Sequence, residues 1–277
     1  YLEATKNIFP QLIEELEGYA EGSQVAFEDL WALSLEDEIS TTDKCTTVIT
    51  NGGKLIAHNE DWYADSKENV CVLKKTIKDL TVFELFYLNT LGGNAISINS
   101  NGFVQAINSL THINKKIGIP RNVIARWMSE TNSPEEDFRK LANLIRSSGY
   151  NHNFINIQGE IWNLECTESK QNLIKVASPF AHSNHFLSEL KEFEANDNST
   201  GTFNRCLFAN KHLKDEMNLI ELQHLMANQS EGNKLSLFNE GTIAEMIIDL
   251  ENLVSYIWLL READKGWVKY DLDFIKS

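Results

Sequence analysis

The stretch Asp43-Lys44-Cys45-Thr46-Thr47-Val48-Ile49-Thr50-Asn51-Gly52-Gly53-Lys54-Leu55-Ile56-Ala57-His58-Asn59-Glu60-Asp61-Trp62 reads as a β-hairpin. Residues 46–50 and 54–58 are rich in β-branched and apolar side chains, and they flank an Asn-Gly-Gly turn, a strong short-range hairpin signal. Cys45 stands at the mouth of the first strand, after a polar, acidic segment, and Asp61 follows the returning strand. A thiol at a strand start, with an amide bond just upstream that can be cut, points to a nucleophile that supplies its own base. Breaking the Lys44–Cys45 bond would give Cys45 a free α-amine, which titrates near pH ~8 and suits general-base work at neutral pH. Before the cut that nitrogen is an amide and no base. Asp61, brought back by hairpin pairing, could hold or orient the amine.

Outward from the hairpin, the chain before about Leu35 reads as helices. Leu2, Ile8, Leu12, Ile13 and Leu16 recur at helical spacing, and Pro10 marks a start or a kink. Residues 27–35 form a second short helix in this reading, and 36–43, acidic with a hydroxyl run, an exposed connector. After the hairpin come β-rich stretches at 70–74, 82–88, 95–99, 103–108, 154–157 and 161–166. Ser100-Asn101-Gly102 and Gln158-Gly159 form the turns of two more hairpins. Helices are expected after Pro120, at the Ser133-Pro134-Glu135-Glu136 capping signature, and near 204–212 and 219–226. Strands are expected near 242–249 and 253–260. Clustered hairpins with helices between them favour an α+β fold over alternating βαβ units.

The chain has 277 residues, 42% hydrophobic and 23% charged, with no repeat and no Pro- or Gly-rich linker. It therefore reads as one domain, 1–277. A net charge of −15 with dispersed basic residues argues against nucleic acid as a partner. No apolar run nears the ~18 residues of a membrane span, so no membrane partner is expected. No firm compartment follows, the cytoplasm being favoured. The four cysteines, Cys45, Cys71, Cys166 and Cys206, form no CxxC pair, and His182 and His185 lack the companion ligands of a zinc site. No metal and no cofactor are expected. Asn108 closes a mostly apolar strand and Asn184 sits between the two histidines; either amide could donate to an oxyanion. Arg205 opens a helix in this reading, either as a surface charge or as a cation that lowers a thiol pKa.

Together these segments resemble the peptidase C45 family of N-terminal nucleophile hydrolases, the acyl-coenzyme A:6-aminopenicillanic acid acyltransferase and β-alanyl-dopamine hydrolase group. The resemblance runs through the lead-in 9–22, Cys45-Thr46-Thr47, Ala57-His58-Asn59-Glu60-Asp61-Trp62, Leu91-Gly92-Gly93-Asn94, 98–103, Ala106-Ile107-Asn108-Ser109-Leu110, Gly149-Tyr150-Asn151-His152-Asn153, Ser183-Asn184-His185-Phe186 and Arg205. It implies a four-layer αββα sandwich and autocatalytic cleavage between Lys44 and Cys45. Residues 1–44 would be a propeptide or small subunit, remaining as a tightly bound fragment on a large subunit, 45–277. Cys45 matches the nucleophile and Asp61 the carboxylate on its α-amine; Asn108 and Asn184 fit the oxyanion positions and Arg205 the nearby arginine. The family often has glycine before the cut, where this chain has Lys44.

The expected reaction is cleavage of a linear amide of a small acylated amine or amino acid through a Cys45 thioester. Transfer of the acyl group to an amine is the alternative. A catalytically silent binder of the same fold, or a Cys–His hydrolase, are the competing classes.

Overall fold

The structure, a computed structural model, describes residues 1–39, 45–88, 90–195 and 200–275. Its helices are α1 (Leu2–Ile8), α2 (Pro10–Ser23), α3 (Phe27–Leu33), α4 (Glu36–Ile39), α5 (Arg121–Met128), α6 (Pro134–Leu141), α7 (Thr200–His212) and α8 (Leu219–Met226). The strands are β1 (Thr46–Thr50), β2 (Leu55–Asp61), β3 (Val70–Ile77), β4 (Leu80–Tyr87), β5 (Ile96–Asn99), β6 (Phe103–Ser109), β7 (Tyr150–Asn156), β8 (Ile161–Cys166), β9 (Gln171–Lys175), β10 (Phe180–His182), β11 (Thr242–Asp249), β12 (Val254–Leu259) and β13 (Val268–Asp271). They form two antiparallel sheets, one in the order β10-β1-β2-β11-β12-β13, the other running β3 to β9 in sequence order.

Both sheets are covered on both faces, so their central strands are buried throughout and lose the polar–apolar alternation of a half-exposed strand. Ile49, Ile56, Met246 and Ile248 pack against Ile96, Ile98 and Val104 between the sheets. On the outer face of the first sheet, Val48, Leu55, Ala57 and Ile247 meet Ala209, Leu213, Leu222 and Leu225 on and beside α7 and α8. Outside the second sheet, Phe154, Trp162 and Leu164 meet Val123, Ile124 and Met128 of α5, together with Leu12, Leu16, Leu30 and Trp31 of the lead-in. The layers thus run helix, sheet, sheet, helix.

The hairpin turn holds because Gly52 and Gly53 take positive φ of 59° and 79°, which glycine adopts without steric cost. Lys54 and Asn51 close the loop through a backbone hydrogen bond of 3.1 Å. The pairing Thr46↔Asn59 through Thr50↔Leu55 sets which side chains share a face. One step further along this register, Cys45 stands across from Glu60.

Three expectations change. The acidic stretch after residue 35 begins as helix α4 rather than a loop, because the Glu38 carboxylate is buried and accepts the Arg121 backbone N–H at 2.8 Å; residues 40–44, Lys44 among them, lie outside the described residues. Arg205 sits inside α7, which begins at Thr200. Ser133 precedes α6 with Pro134 in the first turn, but its side chain makes no cap hydrogen bond. Among the described residues no helix is long and apolar enough to cross a membrane.

Candidate active site

Cys45 lies at the entrance of β1, 3% exposed, with a backbone φ of 80°. Its Sγ–H donates to Glu60 Oε2 at 3.3 Å. The same carboxylate accepts from His58 Nε2 at 2.9 Å and, on Oε1, from the Tyr87 hydroxyl at 2.6 Å. His58 Nδ1 meets the Thr47 hydroxyl at 2.9 Å, across the β1–β2 pair. The tautomer that satisfies both ring contacts has Nε2–H facing Glu60 and Nδ1 accepting from Thr47. Burial pushes the Cys45 thiol well above its ordinary range, and the charges of Glu60 and Asp61 push it further. In the intact chain the sulfur therefore keeps its proton.

Successive residues of a strand face opposite sides, so Asp61 does not share the face of the Cys45 side chain. Asp61 accepts from the Thr242 hydroxyl at 2.6 Å and from Asn239 Nδ2 at 2.7 Å. Arg205 Nε lies 3.9 Å from it, and burial outweighs that cation to raise the Asp61 pKa. Arg205 is buried, not a surface charge; it donates to the Thr46 hydroxyl at 3.0 Å and to Asn184 Oδ1 at 2.7 Å. Asn184 Nδ2 is taken up by the Ser109 carbonyl at 3.0 Å. Asp61, Arg205 and Asn184 thus form one network with Thr46, the residue directly after Cys45.

Asn108 belongs to a buried asparagine ladder on the inner face of the second sheet. Its Oδ1 accepts from Asn153 Nδ2 at 2.8 Å, and Asn153 also donates to Asn151 Oδ1 at 2.8 Å. The amide nitrogens of Asn108 and Asn151 are buried without a hydrogen-bond partner. A buried donor left unpaired costs about 1–3 kcal/mol, and a ligand oxygen would relieve that cost. His182 is engaged by Glu165 at 3.0 Å and His185 by the Thr202 hydroxyl at 2.9 Å.

Beside Cys45 and Glu60 a cavity of about 40 Å³ is walled by Tyr87, Tyr150 and Trp62, and on the lead-in side by Leu33, Glu36 and Asp37. That volume holds a few waters at most. Among the described residues, Cys45, His58 and Glu60 bring ligand-type atoms within 4.8 Å of one another, a donor set zinc accepts; here those atoms bond to each other.

The sequence reading named Cys45 and Asp61 and did not single out Glu60, His58 or Tyr87, which the structure joins to the Cys45 thiol in one hydrogen-bond chain. The signal lay in the hairpin register. Counting back from the Asn-Gly-Gly turn sets Glu60, not Asp61, opposite the cysteine. Tyr87 comes from the other sheet and carries no local mark.

The acyl-coenzyme A:6-aminopenicillanic acid acyl-transferase family matches residues 48–264 of this chain. A beta-alanyl-dopamine/carcinine hydrolase of Drosophila melanogaster is 28% identical over 165 residues, which cover 50% of this chain and 43% of that protein. The chain therefore spans less than half the length of the curated relative it matches. Among solved structures, a mutant conjugated bile acid hydrolase from Clostridium perfringens superposes with a TM-score of 0.52 at 15% identity, over 85% of this chain and 94% of that one. Penicillin V acylase from Agrobacterium tumefaciens gives 0.52 at 13% identity, over 78% and 83%. Those likenesses carry the fold alone, two antiparallel sheets packed between helical layers.

Proposed function

The chain belongs to the acyl-coenzyme A:6-aminopenicillanic acid acyl-transferase family, and from that premise we infer that it is a self-processing amidohydrolase acting through a Cys45 thioester. The observation that carries this reading is the backbone at Cys45, a non-glycine residue at φ 80° on the first step of a buried strand. Such a conformation costs about 1–3 kcal/mol and is found where structure and chemistry require it. φ is defined against the preceding carbonyl, so cutting the Lys44–Cys45 bond removes the strain. Cleavage would leave residues 45–277 beginning with both a thiol and an α-amine.

In the mature enzyme the α-amine takes the thiol proton and the sulfur attacks the substrate carbonyl. Asp61, held by Thr242 and Asn239, is the carboxylate suited to steady that amine, with Arg205 balancing its charge. Asn108 Nδ2, unpartnered and buried, is the oxyanion donor already free to act. Asn184 can join it only by leaving the Ser109 carbonyl; until then it braces Arg205. The amine product leaves with the proton, and water hydrolyses the thioester.

The cavity supports a substrate class. Its wall combines Glu36, Asp37 and Glu60 with Tyr87, Tyr150 and Trp62. Carboxylates beside aromatic rings suit a compact amide that carries a protonated amine, and the Drosophila relative is named for beta-alanyl-dopamine and carcinine. Acyl transfer is the second reading, favoured by the depth of Cys45, since a thioester shielded from water survives to meet an amine.

Intact mass tests the processing. Two fragments split between Lys44 and Cys45 are expected, and Cys45→Ala should stay whole. The processed protein should hydrolyse aminoacyl amides in a screen with acyl-amino acids, dipeptides and penicillins. A wild-type chain that persists uncut yet hydrolyses these amides would end this reading.

A further inference from the structure

The first cut meets a difficulty that the mature reaction does not. While the Lys44–Cys45 bond is intact, the Cys45 nitrogen is an amide and accepts no proton, so self-cleavage needs another base. We propose that Glu60 is that base, taking the Cys45 thiol proton for the self-cleavage step. The proposal rests on the reading of Cys45 as a self-processing nucleophile.

Geometry singles out Glu60. Among the described residues, it is the carboxylate that accepts the Cys45 Sγ–H, at 3.3 Å. Asp61 faces the other side of the sheet and is occupied by Thr242 and Asn239. His58 turns its Nε2 to Glu60 rather than to the sulfur. His182 and His185 are engaged with Glu165 and Thr202.

Glu60 is also locked in place. His58 holds Oε2 at 2.9 Å and is itself fixed by Thr47, while Tyr87, from the opposite sheet, holds Oε1 at 2.6 Å. Both carboxylate oxygens are therefore held. A fixed carboxylate beside a cysteine works against a thiolate, since its charge raises the thiol pKa. That penalty is explained if the carboxylate acts before the thiolate of the mature enzyme is needed.

The step balances. The S–H proton passes to Glu60, and the sulfur attacks the Lys44 carbonyl carbon. The tetrahedral intermediate collapses with loss of the C–N bond, and the departing nitrogen takes the proton back from Glu60. This yields a Lys44 thioester on Cys45 and a free α-amine. Water then hydrolyses the thioester to a Lys44 carboxylate and the free thiol. Glu60 ends as it began, and the new amine takes over as base.

The test follows conversion of the full chain to its two fragments, by mass, after synthesis in a cell-free translation system. Wild type, Cys45→Ala, Glu60→Gln, Glu60→Asp and Glu60→Ala are compared, each with a thermal melt. Glu60→Gln is expected to slow conversion roughly 100-fold or more, the range of general-base contributions. Glu60→Asp should fall between it and wild type, and added formate should accelerate Glu60→Ala. Conversion of Glu60→Gln within threefold of wild type overturns the proposal while leaving self-processing intact. Equal stalling of all three Glu60 variants, with no response to formate, also overturns it and assigns Glu60 to the fold. A wild-type chain that never splits, or a Cys45→Ala chain that does, removes the reading beneath it.

Discussion

Glu245, on β11 across from Asn59, is a buried carboxyl near the site whose ionisation its surroundings oppose. It is buried, its Oε1 has no hydrogen-bond partner, and burial together with the Asp61 charge pushes its pKa up to about 8. A carboxyl raised in the folded state lends stability that is complete below its unfolded value near 4.5 and is lost as pH rises through about 8. The protein should therefore lose a few kcal/mol of stability between pH 5 and 9, and Glu245→Gln should flatten that slope; parallel urea titrations of both proteins across this range would decide it. Asn108 gives a different split. Asn108→Ala removes the free donor and should lower the turnover of processed enzyme by 10²–10³, as loss of one oxyanion donor does elsewhere. Its melting temperature should move little, because Asn153 keeps Asn151 and the Ala106 carbonyl as partners. Equal losses of turnover and stability would make Asn108 a structural residue. Chemistry at this scale was legible where a residue type is rare in its setting, as with a cysteine at a strand mouth. It was hidden where a partner arrives from another sheet, as with Tyr87, or where one register step reverses the face, as with Glu60.

Elements are tied together by a buried ion network that no local pattern announces. Glu15 of α2 accepts from Arg126 of α5 at 2.9 Å and pairs with Lys75 of β3 at 3.2 Å, and Lys75 also pairs with Glu84 of β4 at 3.0 Å. Glu84 in turn takes the Gly93 N–H at 2.6 Å, and a Cβ on Gly92 would sit 2.7 Å from its carboxylate oxygens, so Gly92 is required by the Glu84 carboxylate, while a Cβ on Gly93 would sit 2.7 Å from the Ala125 carbonyl of α5. Burial opposes ionisation of Glu15, but Arg126 and Lys75 outweigh it and hold its pKa below the usual carboxylate value. Stability from Glu15 is thus present above the unfolded pKa and lost as pH falls through the lowered one. Glu15→Ala leaves the buried Arg126 guanidinium with Glu130 as its remaining ion-pair partner among the described residues, and should cost about 3 kcal/mol in guanidinium unfolding at pH 7; a loss under 1 kcal/mol would mean the network contributes little. The hairpins around Asn51, Asn101 and Gly159 could be read directly, since turn chemistry is local. Strands β9, β10 and β13 could not. They are short and all three lie at sheet edges, and the partner of β10, Thr47 for His182, is remote in sequence.

For the whole molecule, the decisive question is what would hold residues 1–39 if the chain is cut as proposed. This segment is a structural layer rather than a detachable leader: Phe9, Leu12, Ile13, Leu16, Leu30 and Trp31 are buried in the same cluster as α5 and the second sheet. Fully burying such side chains is worth roughly 1.5–3 kcal/mol each, a gross stabilisation on the order of 10 kcal/mol before ordering costs. Glu38 and Asn122 add polar ties, through the Arg121 N–H and the Ser34 carbonyl. Breaking the single bond between Lys44 and Cys45 would remove none of the contacts just named. It only converts an intramolecular tether into a bimolecular equilibrium, a change smaller than the burial it opposes. The two fragments should therefore co-elute in gel filtration at micromolar concentration, melt in a single transition, and part only in denaturant. Replacing Leu16 and Trp31 with alanine should release the small fragment after cleavage and collapse the cavity wall that Leu33, Glu36 and Asp37 supply, abolishing amide hydrolysis. If the native large fragment alone hydrolysed amides as well as the pair, the lead-in helices would have no part in the site.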